Sequence, residues 1–507
     1  MGTAWIGCVA FGLLAGSAPN ALSAISQVQA ASQEAAQGGA TVALTFAAAQ
    51  QRLRSNSSLG RAAGYGMQAA RAQADVAAGL NRPTVALDAQ LIRYRKTFDL
   101  SLGDTLDRAQ TELGTAIPGL IADLPGVPGD VLQSVGQRLE AALPEIFSAL
   151  PQDVRLQVDD TTFRPTVTAL QPIYTGGAIP ALRRAAAANV DLAQAKQQEA
   201  VSLEDVNLAR AYFGQVLAAE ALKIARETRD GFDLHLRNAR LLESQGVLSH
   251  AQTLQVEVAR DAAQRQVNRA ELEHDNAVAS LARVVDTNGA VVPTTPLFVN
   301  RDPVGPAGVF LDQASQANAR LAQAQAGRDL AEAGADLAAS RMKPSVYAFG
   351  TYNLNPDDAL PTEPDWAVGI GARYTLISTV DRRRMLGAAR AQASAAAEVE
   401  RQARDDARLL VTRAYNQAEL ARRQFLSMDS SLQAASENLR VQEVGFREGE
   451  ATATSVVDAR NLLGGARLQR AAAAYEYDLS LAALLAASGS DLTLNDYLQR
   501  EDRISAP

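Results

Sequence analysis

Cysteine, histidine and aromatic residues are scarce in this 507-residue chain: one Cys (Cys8), three His (His235, His250 and His274) and 5% aromatics. A single cysteine excludes a disulfide framework and any multi-cysteine zinc or iron–sulfur site, and no two histidines stand at metal-ligand spacing. The chain is 47% hydrophobic, but much of that is alanine. An enzyme of this length would fill its core with more Phe, Tyr and Trp; an Ala-rich, charge-studded chain reads instead as long helices in narrow contact. Positive charge is also lacking. With 48 Lys and Arg against 56 Asp and Glu, the net charge is −8. Nucleic acid is thereby excluded as a partner, since phosphate neutralisation needs clustered cations. Beyond the N-terminus no stretch has 18 uninterrupted apolar residues, so no transmembrane helix is expected. H-E-x-x-H, P-loop and G-x-S-x-G motifs are missing. Asp357-Asp358 lacks the glycine and closing glutamate of a calcium loop, and Gly369-x-Gly371 lies in a strand pattern rather than a phosphate cradle. No catalytic, cofactor or metal site is expected, and the chain does not read as an enzyme.

Residues 4–18 form an apolar run of signal-peptide length, too short to span a bilayer. Val28-Gln29-Ala30 and Ala21-Leu22-Ser23 fit the small-x-small cleavage rule. Residues 1–30 are therefore expected to be a signal peptide, although no Lys or Arg precedes Arg52. Gly7-Cys8 sits too early for a lipoprotein cleavage site.

An internal repeat organises the rest. Ala72-Gln73-Ala74-Asp75 through Arg82-Pro83-Thr84-Val85 matches Ala333-Gly334-Ala335-Asp336 through Lys343-Pro344-Ser345-Val346, at an offset of 261. Tyr174 matches Leu376 at an offset of 202, and Gly246 matches Gly449 at 203. Repeat one spans 44–290 and repeat two 310–489, with a linker over 291–309 and a tail over 490–507. The jump in offset gives repeat one an insertion of about 59 residues within 96–163. Each repeat runs from an Ala-rich helix ending before a proline through two extended segments to two long helices with a Gly-marked turn.

Trp366, Val368, Ile370, Ala372, Tyr374 and Leu376 alternate with Ala367, Gly369, Gly371, Arg373 and Thr375. Val85, Leu87, Ala89 and Leu91 alternate with Ala86, Asp88 and Gln90. Period-2 patterning with aromatics near the ends is how a membrane β-barrel strand reads. Segments near 164–174 and 345–353 alternate less cleanly. From Ala178 to Ser244 proline occurs only at Pro180, in the first turn, where it is tolerated. Leu203, Val206, Arg210, Phe213, Leu217, Glu220 and Ile224 step by three and four. A helix of about 65 residues is roughly 100 Å long, and 380–447 predicts a second; returning helices are expected over 250–285 and 452–487.

This order of elements resembles the TolC-type outer-membrane efflux proteins over 44–489. The resemblance rests on Leu44-Thr45-Phe46-Ala47-Ala48-Ala49 as an opening helix, Pro172-Ile173-Tyr174-Thr175-Gly176-Gly177 as a strand-to-helix junction, and Gly449 through Asp458-Ala459 as a tip motif. The second junction, Ile377 through Arg384, keeps arginines but lacks the glycine pair. The resemblance implies a mainly α fold with a small membrane β part: antiparallel coiled-coil helices forming an α-barrel, and four strands per chain in a shared trimeric β-barrel. It also implies an outer-membrane location with a periplasmic helical part, and an efflux or type I secretion duct working with a periplasmic adaptor and an inner-membrane pump. Independently, four strands cannot close, and open edges in lipid leave backbone groups unpaired at several kcal/mol each. Three chains would give 12 strands, an even count in the known range. The competing reading is a structural coiled coil without a pore.

Asp458 falls where the family carries an acidic residue inside the tunnel tip. The position three residues earlier, often acidic in the family, is Ser455, and repeat one has Gln252 and Gln255. Gly246 and Gly449 are expected at the turns that touch the adaptor. Trp366, Arg382, Arg383 and Arg384 are expected at the membrane interface, the arginines on lipid phosphates. Val131, Leu132, Val135, Leu139, Leu143 and Phe147 predict a small amphipathic helix pair within the insertion, on an external loop.

Overall fold

The computed structural model describes residues 42–122, 129–151, 153–358 and 364–506. The expected signal peptide, with Cys8, lies outside them. In chain order the elements are β1 (Val42–Leu44), α1 (Phe46–Asn56), α2 (Ser58–Ala78), β2 (Thr84–Ser101), α3 (Gly103–Ala122), α4 (Gly129–Ser148) and β3 (Asp153–Tyr174). Then follow α5 (Ala178–Ser244), α6 (His250–Val284), β4 (Val291–Pro293), β5 (Phe298–Asn300), α7 (Ala307–Ala317) and α8 (Ala319–Ser340). The chain continues with β6 (Ser345–Asn353), β7 (Trp366–Arg373), α9 (Arg382–Arg447), α10 (Ala453–Ser488), α11 (Leu494–Leu498) and β8 (Arg503–Ser505). Two compact units result: a helical one, and a strand unit of 79–177 and 340–379.

In the helical unit α5 has 67 residues and α9 has 66, each about 100 Å at 1.5 Å per residue. Alanines such as Ala181, Ala188, Ala195, Ala209, Ala418 and Ala474 are buried along the helices, letting backbones approach closely without large side chains. The scarce aromatics are concentrated in one core. Phe46 stacks on Phe213 at 5.2 Å and meets Tyr212 edge-on at 5.5 Å, pairs each contributing roughly 0.5–1.5 kcal/mol beyond burial. The seam expected on α5 is only partly the buried one. Phe213 and Ile224 are buried, but Leu203 and Arg210 are exposed, and Leu208, Ala209 and Tyr212 are buried instead. The reason is that α5 packs against α1, α2, α6 and α10, which a single heptad stripe cannot cover.

The opening helix begins at Phe46 rather than Leu44: Leu44 ends β1, and the Thr45 hydroxyl caps α1 by accepting from the Ala48 amide at 3.2 Å. Ser57 and Asn318 each end one short helix and start the next, at the same offset of 261 that relates the repeats. Ser57 Oγ accepts from the Gly60 amide at 2.7 Å, and Asn318 Oδ1 from the Leu321 amide at 3.0 Å.

The stretches expected as linker and tail are built into the core. β4 lies parallel to β1, and β5 pairs antiparallel with β8. The Tyr212 hydroxyl donates to the Leu44 carbonyl at 2.7 Å and accepts from the amides of Thr294 and Thr295. Asn300 accepts from the Tyr477 hydroxyl and donates to the Tyr497 carbonyl. Leu297, Phe298 and Val299 are fully buried.

The strand unit is one antiparallel sheet of order β2-β3-β6-β7. Its register puts Leu87, Val167, Tyr352 and Trp366 in one row and Val85, Ala169, Gly350 and Val368 in the next. Strand β3 starts at Asp153, eleven residues before the segment expected from its pattern. It pairs with β2 from Thr84↔Leu170 to Ser101↔Asp153, whereas β6 reaches only Thr166. The ends of β2 and β3 therefore form a two-stranded ribbon, braced by Arg93 and Arg95 on Asp159. Both ends of the insertion are thus strand; most of the rest is the antiparallel pair α3 and α4, as its amphipathic pattern predicts. The side chains of Val131 and Leu132 lie outside the described residues.

Candidate functional site: a two-faced sheet and a helical tip

The four strands have two chemically distinct faces. One presents Val85, Leu87, Leu91, Trp366, Val368 and Ile370, each 62–73% exposed. The other carries Asp88, Gln90, Arg164, Thr166, Thr168 and Thr351, with Thr168 donating to Asp88 at 2.9 Å. An uncovered apolar face backed by a polar one suits lipid on one side and water on the other. Gly369 and Gly371 have a specific function on the polar face. A Cβ at Gly369 would fall 2.9 Å from the Phe349 ring, and one at Gly371 would fall 2.6 Å from that of Tyr347. The glycines give these rings room to lie flat across β7. Trp366 ends the apolar face, 62% exposed.

The arginines Arg382, Arg383 and Arg384 open α9. Asp381 caps the helix, accepting from the amides of Arg383 and Arg384 at 3.0 and 3.1 Å. Arg384 also pairs with Asp381 at 3.3 Å and is 90% exposed. Three cations at the positive end of a helix run against its dipole, so an anion there would relieve both.

Both expected turns are present and match bond for bond. Gly246 has φ +75° and Gly449 has φ +79°. The Val247 amide reaches the Leu242 carbonyl at 3.0 Å and the Gly246 amide that of Glu243 at 2.9 Å. In the second turn Glu450 reaches Gly445 at 2.7 Å and Gly449 reaches Phe446 at 3.2 Å. This pattern needs a left-handed residue after the helix, which glycine supplies at least cost. Ser249 and Thr452 then cap α6 and α10.

Behind the turns Leu236, Ala239, Val256, Phe446, Ala453 and Val456 form a separate small core. His235 is buried in it, its ring 4.5 Å from that of Phe446 and its Nε2 3.2 Å from the Ala453 carbonyl oxygen. Nothing in the local sequence flags this histidine, because its partners come from elements some 200 residues away. Asp458, by contrast, is exposed, and its side chain makes no hydrogen bond or ion pair among the described residues. Ser455 is half-buried, and its hydroxyl is turned back to the Thr452 carbonyl at 2.7 Å. Thr454 joins the repeats by donating to Gln255 at 3.0 Å. Among the described residues no three His, Cys, Asp or Glu side chains gather as a metal site, and no helix is long and apolar enough to cross a membrane.

Residues 310–490, the second repeat, match the family model of outer membrane efflux proteins. That part of the chain carries the efflux-protein domain. Solved structures share the fold over nearly the whole chain. CusC aligns with TM-score 0.68 and 15% identity, covering 88% of this chain and 92% of its own. The Campylobacter jejuni CmeC outer membrane channel aligns with TM-score 0.66 and 14% identity, covering 90% and 88%. The open-state MtrE outer membrane channel of Neisseria gonorrhoeae gives 0.64 and 16%, covering 88% and 89%. No match was found among curated proteins. At these identities the structures establish the fold, that of TolC-like channels with an α-barrel and a β-barrel. The efflux-protein family is one of channels, not enzymes, seated in the outer membrane with helices in the periplasm.

The helical tip of this chain is expected to respond to acid. Burial pushes the His235 imidazole below its usual range, and the Arg460 guanidinium adds to this, against the bond to Ala453. A folded-state value below the unfolded one means that stability is present above about pH 6.5 and lost as pH falls through the lowered value. Amides of 446–456 should exchange hydrogen several-fold faster at pH 5.5 than the general acid trend gives, and His235→Phe should remove the excess. Equal pH dependence in the two would show that His235 is not the titrating group.

Proposed function

We propose that three copies close the sheet into a 12-stranded barrel and act as a passive exit duct, for efflux or type I secretion. The observation that carries this reading is the sheet itself: an apolar face without cover, a polar face behind it, and two free edges, β2 and β7. In lipid both edges must be paired, and the simplest closure joins β2 of one copy to β7 of the next. A coiled coil without a pore would have no use for such a sheet. Transport energy would come from an inner-membrane pump, joined through a periplasmic adaptor that meets the turns at Gly246 and Gly449. Trp366 would lie at the outer head-group level, and Arg382, Arg383 and Arg384 would hold lipid phosphates. No covalent step and no cofactor enter this mechanism.

Asp458 would then form a ring of three carboxylates at the tip, attracting cations and repelling anions. With Ser455 one turn away, the ring carries half the charge of a double acidic one. The test is membrane fractionation with an unboiled gel, followed by planar-bilayer recording. The protein should sediment with outer membranes as a heat-sensitive trimer and give cation-preferring pores. Asp458→Asn should lower that preference, read as reversal potential under a salt gradient. A soluble monomer refutes the duct; identical reversal potentials refute only the ring.

A further inference from the structure

The helix pair α3 and α4, at the end of the β2–β3 ribbon, buries only part of its apolar surface. The helices meet where Gly114 faces Leu143, with Ile117 buried and Phe147 half-buried beside them. A second apolar stripe runs along each: Leu106, Leu113 and Ala116 on α3, and Leu139, Ala142 and Ile146 on α4, in heptad steps. Leu113, Val135, Leu139 and Ile146 are 45–60% exposed. At 3.6 residues per turn these stripes lie about 60–120° from the contact line, in the sense that brings both to the same side of an antiparallel pair. On the same geometry Asp104, Asp107, Glu140 and Glu145 fall on the other sides.

Two features select the cover. Residues 103–150 contain seven Asp and Glu against two Arg, a net −5. Membrane-surface helices are rich in Lys and Arg, and one this acidic is repelled by lipid phosphates. The ribbon also rises from β2, an edge strand of the sheet, so the hairpin stands beside the seam where the next copy would join. We propose that the apolar faces of α3 and α4 pack against the same faces of neighbouring copies, three hairpins forming a six-helix bundle outside the barrel. The inference rests on the trimeric reading above. Heptad stripes are what such a bundle requires, and left bare on each copy they would be an aggregation liability.

The test uses the full-length protein carrying Cys8→Ser, in intact cells, with one cysteine introduced at a time and a short bismaleimide. Leu139→Cys and Ile146→Cys should give covalent dimers and trimers several-fold above Glu145→Cys, on the far side of α4. Each variant is run unboiled in parallel. Cross-linking no stronger than that of Glu145→Cys, in variants that still run as trimers, overturns the bundle and leaves the duct standing. Labelling of Leu139→Cys only by a lipid-soluble maleimide also overturns it, in favour of the membrane as cover. If the Cys8→Ser parent itself runs as a monomer, the trimeric reading fails and the bundle with it.

Discussion

Arginine in place of Ile370 should abolish assembly in the outer membrane. Ile370 is mid-strand on β7, on the face shared with Trp366 and Val368, and 73% exposed. Arginine at the midplane of a membrane barrel costs about 2–4 kcal/mol, and a trimer incurs it three times. The total, about 6–12 kcal/mol, is comparable with the whole stability of a folded domain. Thr168→Arg, on the polar face, should be tolerated, because that side chain would project into water. The measurement is the yield of unboiled trimer in the outer-membrane fraction. Equal yields from the two variants would mean that the apolar face does not meet lipid, and the barrel would have to be abandoned.

Tryptophan at both Gly246 and Gly449 should reduce export to the level of a strain lacking the protein, while leaving the trimer intact. A Cβ at either glycine meets open space, so the cost is confined to the backbone. Holding an L-residue in the left-handed region costs about 1–2 kcal/mol, which the small core behind the turns can absorb. The indoles would, however, stand where the proposed adaptor would dock. Gly246→Ala with Gly449→Ala carries the same backbone strain without the bulk, and should export nearly normally. Full export by the double tryptophan variant would show that the turns are not the contact; loss in the alanine pair as well would point to turn geometry instead.

The helices were legible because their ends carry strong local signals. Pro180 marks the start of α5, Gly246 and Gly449 mark its end and that of α9, and nothing between breaks the helical period. Strand β7 was legible for the same reason at period 2, with Trp366, Val368 and Ile370 all on one side. The first half of β3 was not. Residues 153–162 extend past β6, and Val154, Leu156 and Val158 alternate in the opposite phase to the residues that follow, with Asp159 on the face that is apolar lower down, so the pattern does not run on continuously. β4, β5 and β8 have three residues each, too few to show any period, and tertiary partners such as Tyr212 and Asn300 decide them. The tip divides similarly. Asp458 and the glycines could be numbered from the sequence, while His235 became visible only once Phe446 and Ala453 were beside it.

The β2–β3 ribbon also shows how the insertion is accommodated. Its ends sit on paired strands, with Lys96 opposite Val158 and Ser101 opposite Asp153, so a segment can enter or leave at the hairpin tip without shifting either register. Lengthening such a connection costs little, about 0.6 kcal/mol for each doubling of the loop. The same joint in the second repeat is the short connection between β6 and β7. The two halves therefore differ where the register tolerates a difference, at the strand end, while the turns at Gly246 and Gly449 keep the symmetry between them.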